Sequence, residues 1–157
     1  CVLVDGYNII HSWEELKELA SHQLDAARDK LIDLLSSYQA YKKCLLIVVF
    51  DAYKVKSHVG SQHYNGNIHI VFTKTAQTAD EYIEKTAHEL SKDYQITVAT
   101  SDALEQLIVF GQGAVRISAR EFEREIKYLH TSNTKEYQSK QTGGHYPLQE
   151  LRKLNEE

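Results

Sequence analysis

Short apolar runs alternate with amphipathic stretches along the chain. Runs at 2–4, 44–50, 68–72 and 95–100, and a shorter one at 114–117, predict β-strands. The run at 44–50 is apolar at every position, which is typical of a central parallel strand buried on both faces. Between the runs, apolar residues recur every three or four positions and predict helices. This alternation predicts a three-layer α/β/α fold with a mainly parallel central sheet.

Sequences of the form Ser/Thr-x-x-Glu predict where three helices begin, at Ser12, Thr78 and Ser118. We interpret Gly6 as the residue that lets the backbone turn tightly after the first strand. Residues 52–67 show little periodicity, so we expect a loop that is partly basic. No linker or internal repeat divides the chain. We therefore expect one domain over 1–130 and an extension over 131–157, where the periodicity fades, that packs on it or trails from it.

Composition narrows the class of protein. The chain has 157 residues, of which 42% are hydrophobic and 25% charged, as expected for one globular domain. A net charge of -4 argues against binding nucleic acid through bulk positive charge, so an RNA partner must meet a local basic patch. The two cysteines lack the spacing of a zinc site or a disulfide framework. No apolar run approaches the roughly 20 residues of a membrane span, and no signal peptide precedes the first strand, so we expect a cytoplasmic protein with no membrane partner.

Four aspartates stand at comparable places in the predicted fold. Two directly follow apolar strands and two lie at predicted helix starts after later strands: Asp5, Asp51, Asp80 and Asp102. Because parallel strands end at one edge of a sheet, we expect these carboxylates to converge there. Converging carboxylates stay ionised only beside a cation, and oxygen ligands select Mg²⁺ or Mn²⁺. For Asp80 and Asp102, helix capping is the alternative role, and both interpretations stay open.

Several polar and aromatic residues near these acids are candidates for binding substrate. Asn8 is either a turn residue or a ligand of a metal-bound water or a phosphate oxygen, and Ser101 either caps a helix or contacts phosphate. The loop after Asp51 contributes cations and an aromatic ring that suit an RNA strand. We therefore assign substrate binding to Tyr7, Tyr53, Lys54, Lys56 and Ser101, with the tyrosines stacking on unpaired bases.

A basic stripe precedes and follows Ser118. Arg120, Arg124 and Lys127 recur at four and three residues on one side of a predicted helix, Arg116 lies just before it, and together they suit a phosphate backbone. Glutamates interleave with them, so an ordinary solvated helix face with local ion pairs is the alternative.

Other phosphate-handling classes lack their motifs. No G-x-G-x-x-G or G-K-[ST] follows the first strand, so we expect no nucleotide and no other small-molecule cofactor. Asp5 is followed by Gly6-Tyr7 instead of the D-x-D that haloacid-dehalogenase-like phosphatases need, and the acidic pair that receiver domains carry before their phosphorylated strand is absent. A small-molecule phosphotransfer protein is therefore disfavoured.

Four ordered motifs resemble those of a known family. Val-Asp-Gly-Tyr-Asn at 4–8, Val-Phe-Asp-Ala-Tyr at 49–53, Thr-Ala-Asp-Glu-Tyr-Ile at 78–83 and Thr-Ser-Asp at 100–102 closely resemble the YacP-like branch of the NYN-domain nucleases, which are relatives of the PIN-domain ribonucleases. The resemblance extends from about residue 3 to a helix ending near 129. It implies a PIN-like fold, metal-dependent cleavage of RNA, and metal-site roles for Asp5, Asp51, Asp80 and Asp102, with Asn8 as a polar auxiliary.

The resemblance also implies a substrate and a partner. Bacterial members of this branch are endoribonucleases that act on messenger RNA in association with the ribosome. The leading hypothesis for this chain is therefore a metal-dependent endoribonuclease, which the retention of all four acids favours. The alternative is a non-catalytic PIN-like module that binds RNA or the ribosome.

Overall fold

The computed structural model describes residues 1–52, 60–101 and 113–137. In these ranges six strands form one sheet in the order β3-β4-β2-β1-β5-β6. The strands are β1 (Val2–Asp5), β2 (Leu46–Phe50), β3 (Gln62–Asn65), β4 (Ile68–Phe72), β5 (Thr97–Ala99) and β6 (Val115–Ile117). Every pairing is parallel except the antiparallel hairpin of β3 with β4.

The helices of the described ranges cover both faces of this sheet. They are α1 (Gly6–Ser12), α2 (Glu14–His22), α3 (Leu24–Lys42), α4 (Ala79–Leu90) and α5 (Ala119–Tyr137). The predicted three-layer α/β/α fold with a mainly parallel sheet is confirmed. Within the described ranges, no helix is both long and apolar enough to cross a bilayer.

Two hydrophobic cores lie on opposite faces of the sheet because side chains alternate along each strand. Val4, Val48 and Phe50 face the core formed with α1, α2, α3 and α5. Leu3 and Ile47 face the other core, to which α4 contributes. Each fully buried aliphatic side chain contributes about 1.5–3 kcal/mol. The central strands are therefore held from both sides.

The prediction of a loop over 52–67 is wrong at 62–65, where the chain forms β3. All four residues of β3 are exposed, so the sequence has no alternation of apolar and polar positions to mark a strand. The hairpin turns at Gly66, which has a φ of 59°. Glycine adopts a left-handed φ without the steric cost that a side chain would add. Backbone pairing with β4 stabilises the rest of the hairpin.

Two of the three predicted helix starts are confirmed. Thr78 Oγ1 accepts the Glu81 amide at 3.1 Å, and Ser118 Oγ accepts the Glu121 amide at 3.1 Å. The prediction at Ser12 is wrong, because that residue ends α1 and its hydroxyl donates to the Asn8 carbonyl at 2.8 Å.

The helix that begins directly after β1 was not predicted from the sequence. Trp13 separates α1 from α2, and its buried indole N–H donates to the Ala119 carbonyl at 2.7 Å. This bond ties the turn between the first two helices to the start of α5.

The predicted domain boundary at 130/131 falls inside α5, which continues to Tyr137. The helix was expected to end near 129 because its last core residue is Leu129. Apolar periodicity marks the buried part of a helix and does not mark where the helix ends. Residues 138–157 lie outside the described ranges.

Gly6 is required for space and not for a tight turn. It does not adopt a positive φ, and it is the first residue of α1. A Cβ atom at this position would lie 2.3 Å from Cε1 of Phe50. The Phe50 ring is fully buried, so it cannot move aside cheaply. The interpretation of Gly6 as a turn residue is therefore corrected.

We expect Gly6→Ala to destabilise the fold by about 1–3 kcal/mol, the usual cost of overpacking a core. Urea denaturation measures this loss. Phe50→Leu removes the ring that the new methyl would meet, so the double variant should be more stable than the sum of the two single losses implies. Additive losses would contradict the steric explanation.

Among the histidines of the described residues, only His69 is buried. It lies on β4, its Nε2 is 3.3 Å from Oε1 of Gln62, and its Nδ1 makes no hydrogen bond to any described residue. Burial lowers the pKa of His69. As pH falls below about 6.5, the unfolded chain therefore takes up a proton that the folded chain resists. Stability should fall in that range.

We expect the free energy of unfolding to decrease between pH 7 and pH 5.5, with His69 contributing up to about 1.4 kcal/mol for each pH unit. His69→Phe keeps a ring without a titrating group and should flatten this dependence. His22→Gln, at an exposed histidine, is the matched control and should not change it. Equal slopes for the wild type and His69→Phe in urea denaturation would contradict the assignment.

Candidate functional site

The strand ends that carry the candidate acids lie at one edge of the sheet. β1 is central, with β2 on one side and β5 on the other, all parallel. Asp5 ends β1, Asp51 directly follows β2 and Thr73 directly follows β4. Ser101 is separated from the end of β5 by one residue. We call this edge, defined by Asp5, Asp51, Thr73 and Ser101, the carboxyl edge. The chain leaves β1 toward β2 and later returns to its other side as β5, which is where open α/β sheets form their ligand crevice.

Asp5 occupies the centre of the carboxyl edge. It is only 8% exposed and pairs with Val49 in the parallel register of β1 and β2. It is also the N-cap residue of α1, yet its side chain makes no capping hydrogen bond. Helix capping, the ordinary structural reason for an aspartate at this position, therefore does not explain Asp5.

Asp51 directly follows β2 and is half-buried. Its two neighbours in the chain are held by one residue, Thr73. The Thr73 amide donates to the Phe50 carbonyl at 3.1 Å, and the Thr73 hydroxyl oxygen accepts the Ala52 amide at 3.0 Å. The backbone on both sides of Asp51 is thus attached to the end of β4.

Asp80 is the second residue of α4, and the capping of that helix is done by Thr78. The capping alternative for Asp80 is therefore not supported, although an acid in a first helical turn is also favoured by the helix dipole. α4 packs on the same side of the sheet as Leu3. By alternation along β1, Asp5 shares that side with Leu3, so Asp5 and the first turn of α4 lie on one face.

Asn8 connects α1 to the end of β5. Its Oδ1 accepts the backbone amide of Ser101 at 2.7 Å. The side-chain oxygen is therefore engaged in holding this part of the chain. Ser101 is exposed at the carboxyl edge.

The three arginines of the predicted basic stripe differ in their surroundings. Arg116 is half-buried on β6, and its Nε donates to the Thr100 carbonyl at 3.2 Å, so it helps to hold the end of β5. Arg120 and Arg124 are exposed on α5. Because α5 begins just after the parallel strand β6, Arg120 in its first turn is near the carboxyl edge and Arg124 is one turn farther away.

The alternative interpretation of the basic stripe requires the glutamates of α5 to form ion pairs with cations of the same helix, and only some of them do. Lys127 Nζ is 3.7 Å from Glu123, which is a local pair one turn apart. Glu125 instead contacts α3, where Lys42 Nζ lies 3.2 Å and the Tyr38 hydroxyl 3.1 Å from its carboxylate. Glu125 thus joins two helices and does not neutralise the arginines of its own helix.

The assignment of Tyr7 to base stacking is corrected. Its ring is only 5% exposed and packs edge-on against Phe50 at a centroid distance of 5.1 Å, so no base can lie on it in this conformation. Its hydroxyl accepts a hydrogen bond from Arg28 Nη1 at 3.2 Å. Burial raises the pKa of Tyr7, against a smaller lowering effect of Arg28.

Arg28 of α3 is buried beside Tyr7 although it is charged. Its guanidinium is buried and forms an ion pair with Asp25. Positions 24, 28, 31 and 35 share one face of a helix, which is the signal that could have placed Arg28 inward.

Four of the assigned residues, Tyr53, Lys54, Lys56 and Asp102, lie outside the described ranges. Sequence reasoning also missed Thr73, because nothing in the local pattern marks a threonine after β4 as different from any other strand-end residue. Its importance comes from the pairing of β4 with β2.

The donor chemistry of the site fits a hard divalent cation, since Asp5, Asp51 and Asp80 offer only carboxylate oxygens. Within 1–52, 60–101 and 113–137, however, no three or more Asp, Glu, His or Cys side chains form a group that could hold a metal ion. The fourth acid, Asp102, is not in those ranges. The four-aspartate metal site therefore stays a prediction.

Comparisons with known proteins agree with the observed fold. The model of the YacP-like NYN domain family matches residues 2–157. The protein YacP of Bacillus subtilis strain 168 is 47% identical over 129 residues, which is 82% of this chain and 75% of that protein.

Two crystal structures of Rae1 (YacP) from Bacillus subtilis are also similar. One matches with a TM-score of 0.74 and 42% identity, covering 87% of this chain and 79% of that one. The W164L mutant matches with a TM-score of 0.73 and 45% identity, covering 83% and 77%.

We expect Asn8→Ala to lower the free energy of unfolding by about 0.5–1.5 kcal/mol, the net value of one hydrogen bond, because the Ser101 amide loses its acceptor. Amide hydrogen exchange at Ser101 should become faster. Asn8→Asp keeps an oxygen at this position and should keep the slow exchange. Asn65→Ala, at an exposed position of β3, is the control. Unchanged exchange at Ser101 in Asn8→Ala would contradict the role of this bond.

Proposed function

Because the chain belongs to the YacP-like NYN domain family, we propose that it is a divalent-metal-dependent endoribonuclease that cuts messenger RNA in association with the ribosome. The observation that carries the proposal is the buried carboxylate of Asp5. It lies at the end of the central strand, at the position where open α/β sheets bind ligands, and it does not cap the helix that begins there.

In this proposal the metal ligands come from the four aspartates singled out in the sequence, Asp5, Asp51, Asp80 and Asp102. A bound Mg²⁺ or Mn²⁺ would supply an activated water and stabilise charge at the scissile phosphate. Asp5 fixes the position of the site in the sheet, and Asp80 approaches from α4 on the same face. Asn8 holds the backbone of Ser101 and presents its amide nitrogen to the phosphate. Hydrolysis then leaves a 5′-phosphate and a 3′-hydroxyl.

RNA binding rests on local positive charge because the chain as a whole is acidic. Arg120 is exposed in the first turn of α5, close to the carboxyl edge, and Arg124 extends the same helix face. Lys54 and Lys56 follow Asp51 in the chain and are the second proposed contact. Such phosphate contacts make binding depend on salt and hold the strand without reading its sequence.

The family resemblance is the support for messenger RNA on the ribosome as the substrate and for the cytoplasm as the place of action. A ribosome-bound substrate also fits a chain with a net charge of -4, because the ribosome then helps to bring the RNA to the enzyme. Naked RNA should accordingly be cut more slowly than translated RNA.

We expect Asp5→Asn to lower the cleavage rate about 100-fold or more while the fold is kept, since a Lewis-acid metal contributes several kcal/mol and each 1.4 kcal/mol is tenfold in rate. The measurement is cleavage of a translated messenger RNA on ribosomes and of the same RNA alone, with Mg²⁺, with Mn²⁺ and with a chelator. Asp33→Asn, at an exposed acid of α3, is the matched control.

The outcomes separate the proposed enzyme from the alternative. Loss of cleavage in Asp5→Asn and in chelator, with Asp33→Asn active, supports the nuclease. An Asp5→Asn variant that cuts as fast as the wild type would refute the site assignment. Metal-independent binding to RNA or ribosomes with no cleavage of either substrate would instead identify a binding module.

A further inference from the structure

Thr73 has an unusual set of contacts at the carboxyl edge. It is 1% exposed and follows the last residue of β4. Its amide donates to the Phe50 carbonyl at 3.1 Å, its hydroxyl oxygen accepts the Ala52 amide at 3.0 Å, and its carbonyl accepts the Gly60 amide at 2.9 Å. The first two bonds reach the residues on either side of Asp51.

The two bonds differ in kind. The bond to Phe50 continues the backbone pairing of β4 with β2 and would form with any residue that has an amide. The bond from Ala52 requires a side-chain oxygen at position 73. Ala52 is itself buried, so without that oxygen its amide would have no hydrogen-bond acceptor, because water does not reach it. The hydroxyl is therefore the part of Thr73 that the general fold does not require.

We infer that Thr73 is a positioning residue that sets the place of the Asp51 carboxylate through the backbone on both sides of it. This inference rests on the proposed function, in which Asp51 is a metal ligand. Groups that orient metal ligands typically change metal affinity or activity by about 10- to 100-fold when they are removed. A threonine in this place acts on the ligand through its peptide neighbours and does not touch the metal or the RNA.

Thr73→Val removes the hydroxyl and keeps the shape of the side chain. We expect kcat to fall about 10- to 100-fold and the Mn²⁺ concentration for half-maximal binding to rise by a similar factor, with KM for RNA nearly unchanged. The Ala52 amide should exchange roughly tenfold faster. Thr73→Ser restores the oxygen and should recover kcat and Mn²⁺ binding. Thr97→Val, on β5 at the opposite end of the sheet, is the matched control and should leave all of these quantities unchanged.

Three results would overturn the inference. They are wild-type kcat and Mn²⁺ binding in Thr73→Val, equal impairment of Thr73→Val and Thr73→Ser, and an Ala52 amide whose exchange does not respond to the substitution. If Thr73→Val does not fold, as judged by circular dichroism, Thr73→Ala is compared with Thr73→Ser instead. Equal kcat and equal Mn²⁺ binding in that pair would also overturn it.

The experiment separates a failure of this inference from a failure of the proposed function. If Asp5→Asn and Asp51→Asn are inactive but Thr73→Val is not impaired, the nuclease stands and the role of Thr73 is wrong. If the wild type cuts no RNA, the proposed function fails, and Mn²⁺ binding measured by calorimetry still decides the role of Thr73. If the wild type binds neither Mn²⁺ nor Mg²⁺, both are wrong.

Discussion

The parallel pairing of β1 between β2 and β5 is the constraint on which the rest of this structure depends. β1 has only four residues, and all four are buried. The strand is held by backbone pairing on both sides and by a hydrophobic core on each face. Because its neighbours run in the same direction, their ends lie together at the carboxyl edge. The acid that terminates β1 is therefore placed beside residues that are distant in sequence.

Strand pairing alone leaves the strand ends only loosely defined, and side-chain contacts to the backbone add the remaining order. Thr73 holds the chain around Asp51, Asn8 holds Ser101, and Arg116 holds the Thr100 carbonyl. Each bond crosses from one structural element to another. Small displacements of reacting groups cost large factors in rate, so a site built at strand ends benefits from such contacts.

Two charged residues show how tertiary contacts change the meaning of a sequence pattern. Arg28, which lies between apolar positions of α3, is buried against Tyr7 and paired with Asp25. Glu125, which the sequence pattern pairs with the arginines of α5, instead bonds Tyr38 and Lys42 on α3. Tyr7 is consequently a core residue near the site and not an exposed surface for a base. The exposed cation nearest the carboxyl edge on α5 is Arg120.

The sequence by itself determined the fold class, the five parallel strands of the sheet, the helix starts at Thr78 and Ser118, and the family, because periodicity, capping and the four motifs are local signals. It also placed Asp5 and Asp51 at strand ends, which the structure confirms. Only the tertiary structure decided that β3 is a strand, that Gly6 makes room for Phe50, and that Thr73 holds the backbone around Asp51. These features depend on contacts between residues far apart in the chain, and a local pattern carries no information about which distant group will be the partner.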